Sequence, residues 1–188
     1  MVFIHHEGIF FIKERTKDMK RAFLFLDIDG VMNPLDGTMD DRTVMVKSSE
    51  ILQFPDHILR NLELISEQTG CYIILSSTWK LDYYKKENVK IELGRCGMVI
   101  YDQTPSVVIE NKRVRGMEIN SFLKNYASKH NIDIGDIAYV ILDDEVSDIV
   151  PYHTYRNIVQ CNMKTGLTES DTHEAISKLN LLKELKGY

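Results

Sequence analysis

Cysteine is scarce and poorly placed for cross-linking. Cys71, Cys96 and Cys161 are odd in number, lie far apart and show no Cys-x-x-Cys spacing, which argues against a disulfide framework and a zinc knuckle and fits a reducing cytoplasm. No apolar stretch approaches the roughly eighteen residues a membrane span requires, and the N-terminus lacks the uninterrupted hydrophobic centre of a signal peptide. A soluble, cytoplasmic protein with no membrane partner is therefore expected. Excess positive charge is also missing. The formal net charge is -5, so broad attraction to nucleic acid or anionic lipid is not expected, although a local basic patch is allowed. There is no internal repeat, low-complexity tract or linker. A chain of 188 residues with 44% hydrophobic and 27% charged residues suits one globular domain carrying at most a modest insertion.

What is present is an alternation of strand-like and helix-like segments from Ala22 onward, the pattern of a parallel sheet wrapped by helices. Residues 22–27 read as a first buried strand. Asp56 to Thr69 place Ile58, Leu59, Leu62 and Ile65 at helical spacing, with Gly70 set to end the helix. Strands follow at Cys71 to Leu75, Met98 to Tyr101, Ala138 to Leu142 and Asn157 to Cys161. Helices are expected at Asp82 to Glu92, at Gly116 to Lys129 with Ile119, Phe122, Leu123 and Tyr126 on one stripe, and after Thr168, whose N-cap role is paired with Asp171. The class is α/β, Rossmann-like, with a central, mostly parallel sheet of about five strands. Residues 1–21 form an N-terminal extension in which Val2 to Ile4 and Ile9 to Ile12 suggest an edge hairpin around Gly8. Residues 22–188 form the domain. A turn-rich insert at about 31–55, with a hairpin at Val44 to Phe54, is expected to act as a flap beside the site.

The run from Phe23 to Leu26 stops abruptly at Asp27-Ile28-Asp29-Gly30. In open α/β sheets the ligand crevice lies beyond the carboxyl ends of such strands, and strand alternation would bring Asp27 and Asp29 to one volume. Ser76-Ser77-Thr78 follow the second strand and Asp143-Asp144 follow a later one. Carboxylates gathered at one edge repel unless a hard divalent cation sits among them, and oxygen donors suit Mg²⁺. A hydroxyl at the second strand end can hold a phosphoryl oxygen. Lys112, Arg113 and Arg115 precede a helix, whose N-terminus also favours an anion. Trp79 reads as a residue packed beneath a loop or stacked on an aromatic substrate, and the six histidines show no ligand spacing.

These segments resemble the motifs of the haloacid dehalogenase (HAD) superfamily of phosphohydrolases. Asp27-Ile28-Asp29-Gly30-Val31 resembles its first motif, Ile74-Leu75-Ser76-Ser77-Thr78 its Ser/Thr motif, and Ile141-Leu142-Asp143-Asp144 its acidic fourth motif. Ser76 to Lys80, Arg115 to Ile119 and Gly166 to Thr168 are similar to the branch found in RNA-repair proteins. The resemblance implies a HAD fold and a Mg²⁺-dependent phosphatase. Asp27 would be the nucleophile that forms an aspartyl-phosphate, and Asp29 the general acid and base, its backbone carbonyl facing the metal. Ser76 would hold the transferring phosphoryl group and Arg115 would balance its charge. Asp27, Asp29, Asp143 and Asp144 would be the metal residues. The third motif is often Lys in this superfamily, so Lys112 and Arg113 stay open beside Arg115.

Neither the insert at 31–55 nor the segment from Leu81 to Val114 is long enough for a large cap, so an open site is expected. Openness favours a phosphorylated substrate that brings its own bulk: a polynucleotide end, a phosphoprotein or a nucleotide. The alternative is a catalytically silent phosphate-sensing or protein-interaction module on the same fold. Receiver-type modules place their adjacent acids after the first strand, whereas this chain has the Asp-x-Asp arrangement there.

Overall fold

The computed structural model describes residues 21–35 and 52–188. The hairpins expected near Gly8 and at Val44 to Phe54, and most of the flap, lie outside the described residues. Five strands form one parallel sheet: β1 (Phe23–Leu26), β2 (Tyr72–Leu75), β3 (Ile100–Gln103), β6 (Tyr139–Asp143) and β7 (Ile158–Gln160), in the order β3-β2-β1-β6-β7. The acid-tipped strands β1 and β6 are neighbours in register, Leu26 opposite Leu142, and β2 flanks β1 on its other side with Leu75 opposite Leu26. Among the described residues four α-helices pack around the sheet: α1 (Asp56–Thr69), α2 (Tyr83–Gly94), α3 (Arg115–His130) and α4 (Glu169–Leu185). None of the described helices is long and apolar enough to cross a membrane.

Strand alternation splits the core into two layers. Leu24, Leu26, Ile73, Leu75, Val140 and Leu142 belong to the larger, with α1 and α4. Phe23, Phe25, Ile74 and Ile141 face α3 through Ile119, Phe122, Leu123 and Tyr126. Phe23 meets Phe122 and Tyr126 edge-on at centroid distances of 5.5 and 4.8 Å, geometries that suit aromatic quadrupoles. The parity of the second layer sets the site. Two residues beyond Phe25, Ile74 and Ile141 come Asp27, Ser76 and Asp143 on the α3 side.

The helices match the periodicity to within a residue or two, and Thr168 with Asp171 forms the expected capping box. The third strand begins later than its composition suggests, at Ile100 rather than Met98. Met98 is tied to the end of α2 by a hydrogen bond from its N–H to the Leu93 carbonyl, so extended pairing starts only beyond it. Lys112 and Arg113 do not form a simple turn. They are β5 (Lys112–Arg113), antiparallel to β4 (Val108–Ile109), joined by Glu110 and Asn111 at φ of 49° and 64°, the positive pair a two-residue hairpin requires.

A buried ion pair locks this hairpin's approach to α3. The Lys80 ammonium donates to Glu118 Oε2 at 2.5 Å, to Thr104 Oγ1 at 2.6 Å and to the Pro105 carbonyl at 3.3 Å. Glu118 Oε1 in turn accepts the Val107 N–H at 3.1 Å. Burial pushes the lysine pKa down while Glu118 opposes that shift. Removing one partner strands the other charge in a dry interior, so Glu118→Gln should cost about 3 kcal/mol, read by urea unfolding. A loss within experimental error would show that water reaches the pair.

Candidate active site

The backbone ladder continues one step past the strands. The Asp27 N–H donates to the Leu142 carbonyl at 3.0 Å and the Ser76 N–H to the Leu26 carbonyl at 2.8 Å, which fixes the directions of both side chains. The chain then turns. The Val31, Met32 and Asn33 N–H groups all converge on the Ile28 carbonyl, and Gly30 sits at φ +74°, where a Cβ would come within 2.5 Å of the Asp144 carboxylate. Both the backbone angle and the close approach call for glycine.

Asp27, Asp143 and Asp144 come together, each offering an oxygen within 4.8 Å of the others. Arg115, the first residue of α3, reaches into this cluster with one nitrogen, Nη1, 2.7 Å from Asp27 Oδ1 and 2.7 Å from Asp143 Oδ2. Its position is set by a residue the sequence did not single out. Asp148 Oδ2 accepts the Arg115 N–H at 2.8 Å, capping the helix in place of a side chain at Val114. One residue on, the Gly116 carbonyl lies 2.8 Å from buried His153 Nε2, whose Nδ1 lies 2.9 Å from the Tyr139 hydroxyl. A Cβ at Gly116 would fall 2.7 Å from the Asp148 carbonyl, so the helix start seats directly on the loop after β6. Lys112 and Arg113 are exposed on β5, and Arg115 is the cation in contact with Asp27.

The electrostatics are those of crowded, desolvated acids. Burial raises the Asp27 pKa, and Arg115 and the Ser77 hydroxyl only partly offset it. Burial and then repulsion from Asp27 hold Asp143 well above the carboxylate range. The same two causes raise Asp144. Burial works against the charge of Arg115, yet Asp27 and Asp143 outweigh it and hold the guanidinium firmly protonated. Among the described residues, one cation thus faces three carboxylates. A cluster of hard oxygen donors with surplus negative charge suits a divalent ion such as Mg²⁺, and the Ser76 hydroxyl on the same face is buried with no hydrogen-bond partner among the described residues.

Asp29 stands apart from that cluster. Strand alternation suggested that it would converge with Asp27; its charge does act on Asp27, but its carboxylate is not one of the three that gather. Its Oδ2 accepts the indole N–H of Trp79 at 2.8 Å and its Oδ1 the Asn33 amide at 3.2 Å. Trp79 is buried, with its ring beside Phe54, so it is a core residue with a polar edge aimed at the site. The donor roles of Trp79 and Asn33 and the cap from Asp148 left no signature in the sequence, because each depends on contacts made by the fold.

A family model described as the HAD domain in Swiss Army Knife RNA repair proteins matches residues 23–172. No curated protein and no solved structure matches.

The raised carboxyls make a signed prediction for the chelated protein. Between their ordinary values near pH 4 and their raised ones, the folded chain binds more protons than the unfolded chain. Their contribution to stability is therefore full below about pH 4 and is lost as pH rises through the raised values. His153, held below its ordinary range by burial, acts oppositely, so the reading is a difference between variants. In chelator at pH 8, Asp144→Asn should unfold at higher urea than the parent, with the gap closing toward pH 4. Added Mg²⁺ should stabilise the parent more than the variant. A variant that is no more stable than the parent at pH 8 would contradict the crowding.

Proposed function

Because the chain belongs to the HAD-domain family of Swiss Army Knife RNA repair proteins, and is on that ground a HAD-type phosphohydrolase, we propose that it is a Mg²⁺-dependent phosphomonoesterase working through an aspartyl-phosphate on Asp27. The observation that carries this reading is the meeting of Asp27, Asp143 and Asp144 within 4.8 Å under a shared Arg115. Asp143 and Asp144, with Asp27, would hold the ion. When bound, it would offset negative charge between the nucleophile and the phosphoryl oxygens.

In the first half-reaction an Asp27 oxygen forms a bond to phosphorus while the bond to the ester oxygen breaks. Arg115 balances charge on the transferring oxygens, and the Ser76 hydroxyl supplies a hydrogen bond to one of them. The departing alkoxide takes its proton from Asp29. In the second half, Asp29 removes a proton from water, the water oxygen bonds to phosphorus, and the phosphorus bond to Asp27 breaks to release inorganic phosphate. Asp29 serves both halves, its carboxylate held in place by the Trp79 indole and the Asn33 amide.

Two measurements test this division of labour. Asp27→Asn should lower kcat on a small aryl phosphate by about 10⁴-fold, and activity at the parent level would remove the covalent route. Trp79→Phe keeps a ring in the core but deletes the indole donor, so it should cost about tenfold or more in kcat on an alkyl phosphate, which needs leaving-group protonation. An aryl phosphate with a good leaving group should be nearly unaffected. Equal losses on both substrates would mean that Trp79 matters only for packing.

A further inference from the structure

The first turn of α2 is built against its own interests. A helix N-terminus favours acidic side chains, yet after the Asp82 cap the turn reads Tyr83-Tyr84-Lys85-Lys86 with no acid among its first residues. The two tyrosines are 72% and 52% exposed and stand edge to face at 5.5 Å, a costly way to spend two aromatic rings if folding were their only use. The turn is also linked to Asp29 through Trp79. Lys85 Nζ sits 5.2 Å over the Trp79 ring, whose opposite role is to donate to Asp29. Arg113 shares a cavity of about 210 Å³ with Thr78 and with Arg115, the partner of Asp27. The two acids of that cavity are engaged elsewhere, Glu118 with Lys80 and Asp148 with the Arg115 N–H.

Cations and a pair of exposed aromatic rings, each one residue removed from the site, are the elements of a single-strand platform. Bases stack on the rings regardless of identity, and the cations meet successive backbone phosphates. We propose that the N-terminal turn of α2, together with Arg113, is the docking rim for a single-stranded polynucleotide end whose terminal phosphate is presented to Asp27. Tyr83 and Tyr84 take bases; Lys85, Lys86 and Arg113 take phosphates. This rests on the phosphomonoesterase reading and supplies its substrate class. The net charge of -5 is compatible with a rim this local, because only a few phosphates need be met.

Binding and turnover separate the two ideas. The full chain carrying Asp27→Asn, with Mg²⁺, is titrated by fluorescence anisotropy with single-stranded oligonucleotides bearing a 3′- or a 5′-phosphate and with a phosphoserine peptide. At least one oligonucleotide should bind tenfold or more tighter than the peptide. Adding Tyr83→Ala with Tyr84→Ala should weaken that binding about tenfold. Adding Lys85→Ala with Lys86→Ala should reduce the slope of log affinity against log salt by about 1.4, two phosphate contacts on a single strand. With Asp27 intact, both double variants should turn over a small aryl phosphate within twofold of the parent. Tyrosine variants that bind as the parent does, or a peptide that binds as well as the oligonucleotides, would overturn the rim. Failure of the parent to turn over the aryl phosphate would instead overturn the phosphomonoesterase reading.

Discussion

Two buried carboxylates and a half-buried third at the ends of two adjacent strands, with the Arg115 guanidinium beside them, are the constraint around which the rest of the site is arranged. Two unit charges a few ångströms apart interact weakly in water and several times more strongly at the lower effective dielectric of a protein. Asp27, Asp143 and Asp144 lie well within that range of one another. A fold does not assemble this arrangement for stability, since apolar residues would serve a strand end better. The cost is intelligible if further positive charge enters with function, and a cation together with a tetrahedral oxyanion would use every group present.

The architecture delivers these groups with few degrees of freedom. β1 and β6 are paired in register, so Asp27 and Asp143 sit side by side at the strand ends, and alternation sends them toward α3 with Ser76. Arg115 cannot drift, because the start of α3 is seated on the loop after β6 by Asp148 and by the contact of His153 with Gly116. The Lys80–Glu118 pair ties the segment after β2 to the same helix. Acids, hydroxyl and guanidinium are thus referred to one rigid frame, as catalysis by positioning requires. Asp29 is held by groups of its own, the Asn33 amide in the turn after β1 and the Trp79 indole.

Much of this was legible in the order of residues. Unbroken apolar runs ending in acids marked β1 and β6, and helical spacing marked α1, α3 and α4, because those elements bury one face or two and write that burial into their periodicity. The acidic cluster followed from which strand ends lie together, whereas Arg115 came from the family resemblance, with Lys112 and Arg113 left open beside it. What could not be read was any feature resting on contact between distant segments. Lys80 and Glu118 are both charged residues in unremarkable positions until the fold buries them together. Trp79 gave an ambiguous signal because its packing and its indole donor act on opposite sides of the ring. Asp29 was expected to converge with Asp27 by strand alternation, and its charge does act on Asp27, but its bonds to Trp79 and Asn33 depend on contacts beyond the strand. The β4–β5 hairpin escaped notice because two-residue strands carry no periodicity.

The shared-ion arrangement is most directly examined by crystallising the protein with Mn²⁺ in place of Mg²⁺ and mapping the anomalous signal. A single peak bonded to carboxylate oxygens of Asp27 and of Asp143 or Asp144, with the Asp29 carboxylate still on the Trp79 indole, is the expected result. At saturating Mn²⁺, a cluster without a peak, or a peak held by residues elsewhere while these carboxylates stay unligated, would contradict it.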